Sequence, residues 1–309
     1  MPSTLTVVLV SLLWSIPAIS FWLWLVILPA RVAILCPEGC KCDGGGYFIN
    51  CSNTSLNSVP LIRLTNVRVL LLEENNITLF ERDSFVTLTE LDLLYVYSCG
   101  LRTIELGSFN GLTTLRKLYI NYNEISEILP CTFENMSNLE ILDLSYNKLE
   151  HLDSDMLSGL IKLKVIYLSR NELQYLHPET FLLLPSFEHL GLYINPTLHI
   201  PTDRPFIKSH SLSHLDIGGC NVHSLSVETF SNVSALEWLD LDNNSLSTVD
   251  INILRALPKL SKLYLYGNPL QCDCQLQEVW RWCEDRDIQT AWMESTPECD
   301  TPREVNGLW

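Results

Sequence analysis

Cysteine, histidine and tyrosine are the side chains of this sequence best able to do chemistry, and their spacings differ. The 309 residues include 11 cysteines, 7 histidines and 11 tyrosines. Four cysteines crowd together as Cys36-x3-Cys40-x-Cys42-x8-Cys51, and three more, Cys272, Cys274 and Cys299, stand near the C-terminus. Thiols so spaced either ligate zinc or oxidise in pairs. No histidine of fitting spacing joins the first group, so disulfides are expected there, with three pairings open to four cysteines. The histidines are scattered. His189 and His214 lie 25 residues apart without a third partner. No nucleophile elbow, phosphate loop, metal-ligand helix or pair of acids in a predicted cleft is visible. The sequence therefore points to no enzyme, no cofactor and no metal. A formal net charge of −16 argues against nucleic acid as a partner.

The tyrosines are ordered by a longer period. An eleven-residue line with apolar residues at places one, four, six and eleven starts at Val67, Leu91, Leu115, Leu139, Leu163, Phe187, Leu212, Leu236 and Leu260. Every step is 24 residues except the 25 from Phe187 to Leu212. Two of the lines read LEILDLSYNKL (Leu139–Leu149) and LEWLDLDNNSL (Leu236–Leu246). Within them x-L-x-L-x alternates with period two, which predicts a short strand with one buried face. One such unit cannot bury its own leucines, so the units must stack as a solenoid and share a parallel sheet. Place nine is Asn75, Asn123, Asn147, Asn171, Asn195, Asn244 or Asn268, or else Cys99 or Cys220. Its amide is expected to serve backbone groups that the turn leaves unpaired. Place nineteen forms a second row of Phe85, Phe109, Phe133, Leu157, Phe181, Phe230 and Leu254, with Phe206 one place late. These rows are core, each side chain contributing roughly 1.5–3 kcal/mol on burial.

Places three, five and seven point away from the leucines, and place eight lies beside them at the strand exit. Nine of the 11 tyrosines fall on these places: Tyr95, Tyr97, Tyr119, Tyr122, Tyr146, Tyr167, Tyr193, Tyr264 and Tyr266. So do His189, His214 and Trp238. Strand propensity accounts for tyrosine in strands, but not for its choice of the solvent side. Rigid amphipathic rings suit protein recognition. The early repeats offer Tyr95, Tyr97 and Tyr119 flanked by Lys117, and the later ones Asp216, Asp240 and Asp242, with Asp143 further back. At ~4.8 Å per strand the track runs roughly 40 Å, a length for a protein or an extended chain rather than a small metabolite.

The repeat line resembles the leucine-rich repeat, L-x-x-L-x-L-x-x-N/C-x-L, in its longer extracellular form. The cysteine groups resemble the N- and C-terminal caps of the Slit, Toll-type and Nogo-receptor-like ectodomains. This resemblance implies an α/β solenoid, a horseshoe with a parallel concave sheet and an irregular or short-helical convex side. It implies the pairs Cys36–Cys42 and Cys40–Cys51, and a C-terminal cap in which Cys272 pairs with Cys299. A fourth cap cysteine would be expected beyond Trp309, so the cap is expected to be cut short. Cys283 is read as a buried extra thiol, with pairing to Cys274 the alternative. Cys99, Cys131 and Cys220 are read as buried thiols.

The expected divisions are a signal peptide or hydrophobic anchor over 1–33, an N-terminal cap over 34–66, nine repeats over 67–270 and a C-terminal cap over 271–309. The first thirty residues carry no charged side chain, and Ala18-Ile19-Ser20 offers small residues at a cleavage site. The same run is long enough to span a bilayer uncut. Membrane association through it, or through a region past Trp309, stays open. Of six Asn-x-Ser/Thr sequons, Asn50 beside Cys51 is a poor acceptor, leaving Asn53, Asn76, Asn135, Asn232 and Asn243 as glycosylation sites. The reading is a secreted or cell-surface recognition module for an extracellular protein or matrix ligand. The alternative is a matrix organiser resembling the small leucine-rich proteoglycans, whose cysteine spacing differs and whose Ser-Gly attachment sites are not seen here.

Overall fold

The structure, a computed structural model, describes residues 36–271 and 273–290. Each repeat line forms a three-residue strand at places three to five, from Val69–Leu71 in the first to Lys262–Tyr264 in the ninth. All nine pair in parallel with like places opposite, as Val165 faces His189 and His189 faces His214 across the longer step. Leucines at places four and six point inward and are buried throughout, as in Leu94 and Val96 or Leu142 and Leu144. This is the parallel-strand solenoid expected, a leucine-rich repeat horseshoe.

The sheet is longer than the nine lines. Phe48–Asn50 lies parallel to the first repeat strand, Lys41–Cys42 pairs antiparallel with it, and Gln289–Thr290 adds a strand after the ninth repeat. Ile49 and Cys51 take the buried inward positions there. Thr54, in the place-nine position, donates its hydroxyl to the Cys51 carbonyl at 2.6 Å, standing in for the usual asparagine.

The asparagines tie neighbouring turns together. Asn147 accepts from Ile125 N–H at 3.0 Å and donates to the Ile120 and Leu144 carbonyls at 3.1 and 3.0 Å. Both neighbours of the bond are buried, so each asparagine satisfies backbone groups that water cannot reach. Cys99 and Cys220 manage half of this, donating a thiol to the Leu72 carbonyl at 3.0 Å and the Leu192 carbonyl at 3.2 Å. Burial pushes the Cys220 thiol up to about 12.

Place eight is left-handed in all nine repeats, from Glu74 (φ 54°) through Tyr122 (55°), Tyr146 (54°) and Arg170 (54°) to Gly267 (71°). Where cysteine occupies place nine, place ten is left-handed as well, at Gly100 (69°) and Asn221 (57°).

The phenylalanine row packs the opposite side. Phe85, Phe109 and Phe133 stack in sequence at 6.0 and 5.7 Å, and Phe206, Leu157 and Leu254 are buried in the same layer. Outside the main sheet the repeats hold turns, two parallel strand pairs (Leu79–Phe80 with Thr103–Ile104 and His151–Leu152 with Tyr175–Leu176), one 3-10 helix at Glu228–Phe230 and the helix Ile251–Arg255 capped by Asp250. The sixth repeat departs at place eleven: Thr197 donates its hydroxyl to the Leu173 carbonyl at 2.9 Å, and Leu198 takes the buried position. The extra residue is thereby absorbed at once, and Pro201 and Pro205 keep the following stretch irregular.

The disulfides Cys36–Cys42 and Cys40–Cys51 close the N-terminal end. Towards the other end, the helix Cys274–Asp285 is capped by the Asp273 carboxylate, which accepts from Gln275 and Leu276 N–H. It buries Leu276, Val279 and Cys283, so Cys283 is a buried free thiol and Cys274 an exposed one. The expected Cys272–Cys299 pair, the fourth-cysteine question and the 1–33 segment lie outside the described residues. No helix among the described residues is long and apolar enough to cross a membrane.

One cysteine expectation fails. Cys131 is exposed. It stands at place seventeen with φ 64°, matching Asp83 (64°) and Gly107 (82°) in the two preceding repeats. The left-handed turn swings its side chain outward, and Thr132 is buried instead, donating to the Leu129 carbonyl at 2.7 Å.

Candidate interaction face

The sheet face opposite the leucines collects the predicted binding residues into two aromatic groups. In the early repeats Tyr95 and Tyr119 stack at 4.4 Å with ring planes 8° apart. Beside them, along the strand exits, Tyr97 meets Tyr122 at 4.9 Å and Tyr122 stacks on Tyr146 at 3.8 Å. Arg170 closes this row, its guanidinium 5.2 Å from the Tyr146 ring centre. The parallel sheet sets the geometry: like places recur every ~4.8 Å, near the separation of stacked rings.

The later repeats carry a second run that crosses from place five to place three. Tyr167 meets His189 edge-on at 5.3 Å, and His189 stacks on His214 at 5.7 Å with planes 13° apart. Trp238 meets His214 and then Tyr264, each at 5.4 Å. Burial, with the charge of His214 beside it, lowers the His189 pKa. Among the described residues no three metal-ligating side chains converge.

The carboxylates line the same stretch. Asp216 accepts from Gly218 N–H at 3.0 Å, Asp240 from Asp242 N–H at 2.9 Å and Asp242 from Tyr266 N–H at 2.6 Å. Burial, reinforced by neighbouring carboxylates, pushes Asp216 and Asp242 up to about 6. Asp240 and Asp143 are raised for the same first reason. Among the described residues the ion pairs lie elsewhere, chiefly at the strand starts and on the flanks. Arg116 holds Asp92, Lys164 holds Glu140 at 2.8 Å and Lys208 holds Glu179 at 2.7 Å.

Other predicted residues are placed as follows. Lys117 lies half-buried on the strand between Leu93 and Ile141. The Tyr193 ring lies over Gly218, 2.9 Å from where a Cβ would stand, and Tyr167 covers Gly191 at 3.0 Å. Exposure rises towards the strand exits, reaching 41% at Tyr122 and 46% at Tyr266. Two residues of the face were missed by sequence reasoning: Arg170 at place eight and Lys262 at place three, whose ammonium sits 4.7 Å from the Trp238 ring. Their place numbers were the available signal.

Asn53, Asn76, Asn135, Asn232 and Asn243 all have exposed side chains, whereas Asn50 is half-buried and accepts from Ser52 N–H at 2.8 Å. Away from the sheet face, an open cleft of about 260 Å³ lies between residues 198–202 and 221–224. It sits beside the irregular repeat.

Comparison with known proteins agrees with this geometry. The family model described as "Leucine rich repeat" matches residues 89–149, 137–196 and 210–270, together more than half of the chain. Mouse nephrocan is 34% identical over 91 residues, 29% of this chain and 17% of its own length. Human leucine-rich repeat-containing protein 3B is 33% identical over 88 residues, 28% of this chain and 34% of its own. Aligned stretches thus span about a third or less of these curated relatives. The crystal structure of human 5T4 (Wnt-activated inhibitory factor 1, trophoblast glycoprotein) superposes with a TM-score of 0.62 at 22% identity. It covers 89% of this chain and 95% of that one, a likeness of fold. The chain belongs to the leucine rich repeat family.

Proposed function

We propose that this chain is an extracellular recognition module that binds a protein partner on its outward sheet face. The observation that carries the reading is the ring-on-ring packing of that face in two runs. Tyrosine, histidine and tryptophan rings from eight of the nine repeats each contact an aromatic ring of an adjacent repeat. Rings already packed on one another lose little rotamer freedom on binding and still offer edges and hydroxyls to a partner. Disulfides at the N-terminal end support an oxidising compartment, and exposed sequons fit glycosylation there. Residues 34–66 and 271–309 act as caps that shield the apolar ends of the solenoid, and 1–33 directs the chain into the secretory route.

The test replaces Tyr95, Tyr97 and Tyr119 together by alanine and screens wild type and variant against a library of extracellular domains. Hits that weaken at least tenfold, about 1.4 kcal/mol, support the reading. Hits of equal affinity for both proteins would refute it for these sites.

A further inference from the structure

The two halves of the outward face differ in a way that bears on what the partner presents. Across repeats six to nine the aromatic run His189, His214, Trp238 and Tyr264 borders three carboxylates, Asp216, Asp240 and Asp242. Each carboxylate is half-buried and bonded only to backbone N–H groups. Among the described residues none of the three belongs to an ion pair, while Asp92, Glu140, Glu179 and Glu278 each hold an arginine or lysine. Half-burying carboxylates without a counter-charge costs folding free energy. A cation arriving from a partner would remove that cost on binding.

Gly191 and Gly218 occupy outward places five and seven, and the rings of Tyr167 and Tyr193 lie over them, so the aromatic surface continues across these two places. Trp238 shows that the aromatic run accepts a cation, since the Lys262 ammonium lies 4.7 Å from its ring centre. Ring faces and carboxylates together are the environment that holds guanidinium and ammonium groups, which need both a π face and an acceptor.

We propose that the face of repeats six to nine docks a basic, arginine-bearing segment of the partner protein, its cations seated between the aromatic run and the three carboxylates. The proposal rests on the outward face being the partner surface and adds the partner's charge and its register on the solenoid. The early tyrosines then carry the uncharged part of the contact.

The probe is a fluorescein-labelled nona-arginine peptide, with a nona-lysine peptide and a Gly-Ser peptide of equal length beside it. Binding to the full chain is read by anisotropy at neutral pH over a series of salt concentrations. Wild type is expected to bind nona-arginine more tightly than nona-lysine, and Gly-Ser not at all, with affinity falling as salt rises. The double variant Asp240→Asn, Asp242→Asn keeps both acceptor oxygens and should weaken nona-arginine by about tenfold. Glu73→Gln with Glu74→Gln removes the same charge from the first repeat and should leave affinity within about twofold. Tyr264→Leu, which changes no charge, should weaken arginine more than lysine. Equal losses for the two double variants would show that the net charge alone binds the peptide, and would overturn the proposal. So would a wild type that binds no better than Gly-Ser. If tyrosine-dependent partners are found and nona-arginine fails, the basic-segment proposal falls while the outward-face reading stands.

Discussion

Single residues show most clearly what the repeat demands. Place eight is left-handed whatever occupies it, and for tyrosine or arginine that conformation costs about 1–2 kcal/mol. Tyr122 and Tyr146 recover part of this by stacking. Glu74 has the same φ of 54°, and its exposed side chain has no stacking partner. Glu74→Gly is therefore predicted to raise stability by about 0.5–1 kcal/mol in urea unfolding. Asn147 is the opposite case. Asn147→Ala strands the Ile125 N–H and two carbonyls inside the sheet edge and is predicted to cost about 2–4 kcal/mol. The asparagine rule was legible in the sequence because it repeats. The left-handed rule was not, because glutamate, serine, tyrosine, arginine, isoleucine and asparagine share place eight with glycine and hide it. Cys131 was misread for a related reason: it stands two residues before the buried Phe133, and only the left-handed φ turns the thiol outward.

At the scale of elements, the two sides of the repeat separate stability from recognition. Phe133 is fully buried in the stacked row, so Phe133→Ala should cost about 3–5 kcal/mol. Tyr266→Ala, on the exposed exit of the ninth strand, should stay within about 0.5 kcal/mol. Paired urea titrations decide both. The carboxylates make a pH prediction with a definite sign. Asp216 and Asp242 rise from 3.8 unfolded to about 6 folded, so the folded chain holds their protons more tightly between those values. Their contribution to stability therefore increases as pH falls from 7 towards 4. Asp216→Asn should be more stable than wild type at pH 7.5, and that advantage should shrink by pH 5. Binding of a cation to the same carboxylates should move the other way, weakening as they protonate near pH 6. The period predicted all nine repeat strands. It did not predict the strands Phe48–Asn50 and Gln289–Thr290, because the leucine and asparagine marks fade where the sheet has only one repeat neighbour to match. The groupings across the face were also beyond it. A place number says which way a ring points, but not that Tyr167 leaves its own column to meet His189.

For the whole molecule, a solenoid is held by contacts between neighbours, so its ends govern how it opens. The Cys36–Cys42 and Cys40–Cys51 bridges close loops of 6 and 11 residues. Reducing them should cost about 2–5 kcal/mol. In hydrogen exchange the loss should appear first in the strands Phe48–Asn50 and Val69–Leu71, and only later in the central repeats. The central claim is that the tyrosine-faced sheet is the surface a protein partner covers. It is tested most directly by the hydrogen-exchange footprint of a captured extracellular partner on the full chain. Binding through this face predicts slowed exchange at places three to eight of successive repeats, with the phenylalanine side unchanged. Protection confined to the convex turns, or to the proline-rich stretch of residues 195–211, would contradict it.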